Sequence, residues 1–157
     1  VRLEPRRVVV HALDLHEVSP SPAGAAATTD VRITVRCSSG TYVRAIARDL
    51  GEALGVGGHL VALRRTAVGG FDLGVAATLE ELEQDFSVLP LDEAARRSFP
   101  VQRLDEGQAR AVGFGRPLPD LTLAAGDGPV AMFGPDDRFL ALYRQRGREV
   151  RPVAVFT

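Results

Sequence analysis

The spacing of the apolar residues changes abruptly near residue 40, and this change constrains the fold more than any other feature. Val31, Ile33 and Val35 alternate with polar residues, a pattern typical of a half-exposed β-strand. From Val43 onward, apolar residues recur at helical spacing as far as Leu54. The sequence therefore predicts a strand that turns directly into an amphipathic helix, through the linking segment Ser38-Ser39-Gly40.

The residues before this turn predict a second strand. Residues 6–18 are β-branched at the start and then alternate, whereas residues 19–30 are rich in Pro, Ser, Ala and Gly. We expect a strand at 6–18, a loop at 19–30, and an antiparallel hairpin in which this strand pairs with residues 31–37.

The residues after the helix predict short elements. Three glycines at 55–58 are expected to end the helix, and residues 59–71 favour a strand or a short helix followed by a strand. Thr78 with Glu81 three residues later is a capping box that predicts a second helix. Residues 91–97 predict a further short helix.

The residue pattern changes from Phe99 onward. Asp105 is predicted as an N-cap. Three apolar runs separated by turn residues follow: "GPVAMFG", "RFLALYRQR" and "EVRPVAVF". We predict two domains, residues 1–98 and residues 99–157. The expected fold class is α+β, with a mixed, mainly antiparallel sheet and helices followed by a small β-rich, barrel-like module.

Composition limits the classes of protein to which the chain can belong. The 157 residues are 45% hydrophobic and 25% charged, and no apolar run approaches the roughly 18 residues of a membrane helix. A single cysteine, Cys37, excludes an intrachain disulfide and a multi-cysteine zinc site. We expect a cytoplasmic globular protein with no membrane association, in which Cys37 is a small buried hydrophobe.

The charges are distributed unevenly along the chain. Residues 32–65 contain six Arg against Asp49 and Glu52, a local charge of +4, and residues 71–98 contain seven acidic residues against two Arg, a local charge of -5. The net charge of -1 argues against general polyanion binding. The positive charge is therefore concentrated around the predicted turn.

Tyr42 and Arg44 stand two residues apart at the first turn of the predicted helix. One interpretation is structural: the turn caps the helix, Tyr42 packs as a half-buried aromatic and Arg44 is solvated. In the other, one or both side chains project past the end of the strand into a cleft. An aromatic ring beside a guanidinium suits an unstacked base and an anionic catalytic group.

Two linked motifs lie in this region. They are C-S-x-G-T-Y-[IV]-R and D-[IL]-G-x-x-L-G-x-G-[AG]-H-[LV]-x-x-L-R-R. The residues that fit them are Cys37, Ser38, Gly40, Thr41, Tyr42, Val43, Arg44, Asp49, Leu50, Gly51, Leu54, Gly55, Gly57, Gly58, His59, Leu60, Leu63, Arg64 and Arg65. Through these motifs the chain resembles the TruB family of tRNA pseudouridine synthases, in a bacterial, actinobacterial-like form. Residues 99–157 resemble the PUA-type RNA-binding domain that follows the catalytic domain in this family.

The resemblance implies a function. The family isomerises uridine-55 in the T-loop of tRNA to pseudouridine, with no metal or organic cofactor. By resemblance, Arg44 pairs with the catalytic aspartate, Tyr42 contacts the flipped uracil and handles a proton, and Leu63 forms an apolar pocket wall. Strand alternation places Arg64 and Arg65 on opposite faces, so we expect one of them to meet RNA phosphate and the other to form a structural ion pair. The implied partner is the T-stem-loop of tRNA, and no obligate protein partner is expected.

The tail contains a further arginine cluster and leaves two interpretations open. Arg144, Arg146 and Arg148 surround the turn in "RQRGRE". They form either a solvated hairpin tip or a contact with acceptor-stem phosphates. His59 is expected to be structural.

The nucleophilic aspartate of the family lies in a G-T-L-D-P motif, which this sequence lacks. The chain therefore resembles the C-terminal half of the enzyme, and we expect it to be inactive alone. The alternative is a non-catalytic RNA-binding protein, for which this absence is the best argument. An interaction domain with no role in RNA is a third interpretation.

Overall fold

The structure is a computed structural model that describes residues 7–20, 28–119, 121–124, 126 and 128–156. The chain divides into two compact units, one ending at Leu63 and the other beginning at Arg64. Within the described ranges, no helix has the length and apolar character needed to cross a membrane.

The first unit contains the predicted antiparallel hairpin. Strand β1 spans Val10–Pro20 and strand β2 spans Thr29–Cys37. Apolar residues face each other across the ladder: Leu13 pairs with Val35, and a register shift after Leu15 brings Val18 opposite Val31. The hairpin prediction is confirmed, although β1 extends to Pro20 and β2 begins at Thr29, both inside the segment 19–30 that was predicted as loop. Residues 21–27 of that segment lie outside the described residues.

Helix α1 follows β2 and spans Val43–Ala53. It ends at Leu54 and the glycine turn, as the sequence predicted, and Gly55 adopts a φ of 70° that favours glycine. The chain then folds back over the helix, so that a Cβ on Gly51 would overlap the backbone of Gly57. Close backbone packing therefore requires glycine at position 51.

Residues 64–90 contain little regular structure. Strands β3 (Ala67–Val68) and β4 (Phe71–Asp72) form a two-residue pair, followed by one turn of 3-10 helix at Leu73–Val75. The prediction of a longer strand or helix across residues 59–71 is wrong, because this segment is almost wholly exposed and buries no apolar face.

The predicted capping box at Thr78 is confirmed. Helix α2 spans Leu79–Gln84; the Glu81 N–H donates to the Thr78 hydroxyl at 3.2 Å, and the Thr78 N–H donates to the Glu81 carboxylate at 2.7 Å. The helix is nevertheless solvent-exposed on most sides.

A four-stranded sheet organises the rest of the second unit. Helix α3 spans Leu91–Ser98 and helix α4 spans Glu106–Gly113, with Asp105 as its N-cap. The strands are β5 (Val101–Arg103), β6 (Val130–Phe133), β7 (Phe139–Arg146) and β8 (Glu149–Val155), in that order across the sheet. β5 runs parallel to β6, and the other neighbours are antiparallel. The α+β class is confirmed, and β5, with only three residues, is the strand that the sequence did not indicate.

Helices and sheet together enclose two apolar clusters. Val112 of α4 packs in a cluster with Met132 and Tyr143. Ala95 of α3 packs in a second cluster with Phe133 and Phe139. Burying apolar surface in this way is the main term that stabilises the unit.

Polar contacts fix α3 on the same sheet. The Phe139 N–H donates to the Asp92 carboxylate at 3.1 Å, and Arg96 forms a 2.6 Å ion pair with Asp137. The Arg96 guanidinium also lies 3.9 Å from the centre of the Phe133 ring. These contacts join α3 to the sheet across the boundary predicted after residue 98, and the division into residues 1–98 and 99–157 stays a prediction.

Candidate functional site

The turn between β2 and α1 is fixed by hydrogen bonds to Val9, the residue immediately before β1. The Val9 N–H donates to the Ser38 hydroxyl at 2.9 Å, and the Ser38 N–H donates to the Val9 carbonyl at 2.8 Å. The Thr41 hydroxyl donates to the Ser38 carbonyl at 2.8 Å, and Gly40 has a φ of 80°. The helix has Tyr42 as its N-cap with no side-chain capping bond. The turn therefore supplies no side-chain cap to the helix, and the hydrogen bonds between Ser38 and Val9 hold the turn to the hairpin instead.

This braced turn presents Tyr42 and Arg44 together. The Tyr42 side chain is 55% exposed, and the Arg44 guanidinium carbon lies 4.9 Å from the centre of its ring, in cation–π contact. More than half of Tyr42 is accessible in the described chain, which favours the interpretation in which its ring can reach a ligand. The ring and the guanidinium are both available to a ligand.

Arg44 differs from the next arginine on the same helix. Arg48 forms a 2.6 Å ion pair with Asp49, its sequence neighbour. Among the residues that the structure describes, no carboxylate pairs with Arg44. The charge of Arg44 is therefore free to pair with a carboxylate from elsewhere, as a guanidinium that supports catalysis requires.

The other residues predicted for the pocket follow the glycine turn. Leu63 is 64% exposed and is the last residue of the first unit, and the exposed Arg64 and Arg65 begin the second. They lie in a segment without regular secondary structure, so the strand alternation that predicted opposite faces does not apply. In the described part of the chain, neither arginine forms the predicted structural ion pair.

The three arginines predicted for the tail occupy different environments. Arg146 and Arg148 are exposed around the β7–β8 turn, where Gly147 has a φ of 61°. Arg144 is half-buried opposite Arg151, and its Nε is buried without a hydrogen-bond partner among the described residues. The solvated hairpin tip therefore contains Arg146 and Arg148 but not Arg144.

Histidine and cysteine side chains have structural or solvent-facing positions. His16 contacts the Thr34 hydroxyl at 2.7 Å, His59 is exposed, and Cys37 is half-buried. Within the described residues, no group of three or more His, Cys, Asp or Glu is placed to hold a metal ion.

Two shallow clefts of about 370 and 500 Å³ occur in the second unit. The larger is lined by Val75, Leu82, Val88 and Pro90 among others, and the smaller lies between α4 and the β6–β7 turn. Neither cleft includes a residue predicted for the site, so the braced turn in the first unit is the stronger candidate.

Comparison with known proteins decides the family. A model described as "tRNA pseudouridylate synthase B C-terminal domain" matches residues 44–98, and one described as "tRNA Pseudouridine synthase II, C terminal" matches residues 99–157. The chain belongs to the TruB family. Proteins named tRNA pseudouridine synthase B from Arthrobacter sp. (strain FB24) and Thermobifida fusca (strain YX) are 47% and 48% identical to it. Each alignment covers 99% of this chain and 52% of the relative, so the chain spans about half the length of these relatives.

Solved structures share the fold of this TruB-family chain. One is described as "Structure of H/ACA RNP bound to a substrate RNA containing 2'-deoxyuridine", with a TM-score of 0.74, 23% identity and coverage of 97% of this chain and 55% of the other. A second, "Crystal Structure of a Cbf5-Nop10-Gar1 Complex", has a TM-score of 0.73 and 23% identity, covering 100% of this chain and 55% of the other. At this identity the likeness establishes the fold.

The structure also gives physical roles to the TruB-like motifs. Ser38 and Thr41 brace the turn, and Gly51 and Gly58 allow the chain to pack on α1 without a Cβ in the way. The sequence did not indicate one exposed aromatic, Phe114, which lies beyond the end of α4 with the Arg116 guanidinium 5.5 Å from its ring centre. Its sequence signal is an aromatic and an arginine two residues apart, the same spacing as Tyr42 and Arg44.

Proposed function

We propose that the protein to which this chain belongs isomerises uridine to pseudouridine in tRNA, and that the chain supplies Tyr42, Arg44 and Leu63 to the pocket. The observation that carries the proposal is the exposed Tyr42–Arg44 pair, on a braced turn, with a guanidinium that no described carboxylate neutralises. The names of the relatives, tRNA pseudouridine synthase B, support the same activity.

The chemistry assigns a role to each side chain. The reaction breaks the N-glycosidic bond of a uridine, turns the base and rejoins it to the sugar through carbon, after the nucleotide has left the stack. A guanidinium beside the nucleophilic carboxylate favours its ionised form. In our proposal Arg44 fills this role toward an aspartate outside this sequence, and the Tyr42 ring contacts the extruded uracil. Leu63 lines the base pocket.

The finer parts of the proposal concern substrate and location. We propose that the target is uridine-55, that the T-stem-loop is the RNA element bound, and that the protein acts in the cytoplasm. Because the G-T-L-D-P motif is absent, the 157 residues alone should show no turnover.

The C-terminal sheet is proposed to dock RNA. Residues 99–157 would act as a PUA-like RNA-binding domain, with the exposed Arg146 and Arg148 near phosphates. We also propose that Arg64 or Arg65 contacts RNA phosphate, since both are exposed. Contacts of this kind release counterions, so affinity should fall as salt rises.

The decisive experiment replaces Arg44 in the full-length protein. Arg44→Ala should lower turnover of unmodified tRNA by roughly a hundredfold or more, because a charge that stabilises the reacting groups is lost, while tRNA affinity changes by only a few-fold. Arg48→Ala is the matched control, since Arg48 lies one turn further along the same helix and is already paired with Asp49.

Other outcomes would contradict the proposal. Equal losses of turnover and affinity in Arg44→Ala would indicate a docking role. Turnover by the 157 residues alone would show that the nucleophile lies within them. A full-length protein that binds tRNA without forming pseudouridine would leave RNA binding as its function.

A further inference from the structure

Phe114 is an exposed aromatic ring in a unit that buries three other aromatic side chains, Phe133, Phe139 and Tyr143, in its core. Its exposed fraction is 73%, whereas Phe133 and Phe139 are buried against α3. A single exposed apolar side chain is common on protein surfaces and is not by itself a site. Phe114 differs because the Arg116 guanidinium lies 5.5 Å from the centre of its ring.

The backbone that holds this pair is fixed at several points. The Gly115 N–H donates to the Val112 carbonyl at 2.8 Å and the Arg116 N–H donates to the Ala111 carbonyl at 3.0 Å, which closes the end of α4. Gly115 has a φ of 66°, a conformation that favours glycine. The ring and the guanidinium are therefore presented by an ordered turn.

Further contacts tie the same turn to the sheet. The hydroxyl of the buried Tyr143 donates to the Arg116 carbonyl at 3.0 Å. Leu118 exchanges two backbone hydrogen bonds with Val150 of β8, at 2.9 and 3.1 Å. The backbone that carries the ring is therefore ordered before a ligand binds, which reduces the entropic cost of binding.

The guanidinium of the pair favours an anionic ligand. Arg116 forms no ion pair among the residues that the structure describes. An aromatic face beside such a planar guanidinium matches an unpaired nucleotide, whose base stacks and whose phosphate is negative.

We propose that Phe114 and Arg116 form a stacking subsite for one unpaired nucleotide of RNA. The base stacks on the exposed face of the Phe114 ring, and the Arg116 guanidinium contacts the adjacent phosphate. The subsite extends the proposed function, on which it rests for the identity of the RNA, to a contact that takes no part in the chemical step.

A single-stranded RNA hexamer that contains 2-aminopurine tests the subsite in the full-length protein. The fluorescence of 2-aminopurine falls when the base stacks, so quenching reports stacking and titration reports affinity. Phe114→Ala should weaken binding by roughly tenfold and remove most of the quenching, because stacking on one aromatic contributes at this scale. Phe114→Tyr should retain both.

Phe86 is the matched control. It is 78% exposed and lies in the same unit, but it follows Asp85 in the acidic segment. Phe86→Ala should leave affinity and quenching unchanged. Arg116→Lys, which keeps the charge but loses the planar guanidinium, should weaken binding less than Arg116→Ala.

Two results would overturn the subsite. One is equal affinity and quenching in the wild-type protein and Phe114→Ala, which includes the case in which neither binds the hexamer. The other is a fall in thermal stability of Phe114→Ala with unchanged RNA binding, which would show that the ring packs against protein. Both results come from RNA binding and thermal stability and need no measurement of turnover. They are therefore distinct from the test of the proposed function, which measures pseudouridine formation in Arg44→Ala.

Discussion

The two compact units hold their functional residues in place by different means. In the unit that begins at Arg64, the buried hydrophobic residues lie between Ala95 and Val150 and form two clusters on a sheet. In the described part of the other unit, Gly51 is the buried residue. Hydrogen bonds between Ser38 and Val9 hold the Tyr42–Arg44 turn on a largely exposed hairpin, whereas the Phe114–Arg116 turn is hydrogen-bonded to Tyr143, a residue of a buried apolar core.

The exposed face of the hairpin explains part of this difference. Leu13 and Leu15 are 51% and 61% exposed although they pair with apolar residues of β2. Relatives of this chain are about twice its length. We therefore expect the hairpin to depend on further chain for its apolar cover, and the sheet of the second unit to be largely self-sufficient. Three substitution experiments test this difference between the two units.

The largest expected effect on stability comes from truncating the sheet core. Phe133→Ala removes a fully buried ring that packs on Phe139 and Arg96, and should lower the free energy of unfolding by about 3–5 kcal/mol. Leu15→Ala in the 157-residue chain should cost less than about 1 kcal/mol, because that side chain is already largely solvated. Urea unfolding followed by circular dichroism measures both. Similar losses in the two variants would remove the contrast.

Replacement of glycine by alanine should have opposite effects on the stability of helices α1 and α4. Gly51→Ala places a methyl group against the Gly57 backbone and should destabilise α1 by at least about 2 kcal/mol. Gly113→Ala at the end of α4 meets no atom within 4 Å and should stabilise by about 0.4–1 kcal/mol, since it reduces the entropy of the unfolded chain. Amide hydrogen exchange in each helix reports the change. Faster exchange in both helices, or in neither, would count against the glycine-packing argument.

The smallest expected effect is a pH dependence from Tyr143. Burial raises the pKa of its hydroxyl above the ordinary value of 10.0. Because the unfolded chain loses this proton first, the stability contributed by neutral Tyr143 is complete below about pH 10 and is lost as the pH rises through the folded-state pKa. Unfolding free energies measured from pH 8 to 11 should fall more steeply in the wild type than in Tyr143→Phe. Identical slopes would show that Tyr143 ionises without linkage to folding.

Local signals in the sequence predicted several elements correctly. The capping box at Thr78, the N-cap at Asp105, the alternation in β2 and the glycines after α1 depend on neighbours within a few residues, and the structure contains each of these features. The prediction for residues 59–71 is wrong because these residues are almost wholly exposed. Local sequence does not show whether an apolar side chain finds a surface to pack against. For β5 and the packing of α3, the partners lie 30 to 47 residues away in the chain.

The sequence by itself determined the family, the α+β class and the proximity of Tyr42 and Arg44, because each is encoded by residue types at short, fixed spacing. Tertiary structure alone decided three outcomes. Ser38 braces the turn instead of capping the helix. Arg44 has no carboxylate partner among the described residues, whereas Arg48 pairs with Asp49, and the Phe114 ring is exposed to solvent beside Arg116. These outcomes depend on which distant groups compete for each donor, charge or apolar surface, and that competition is settled only when the whole chain packs.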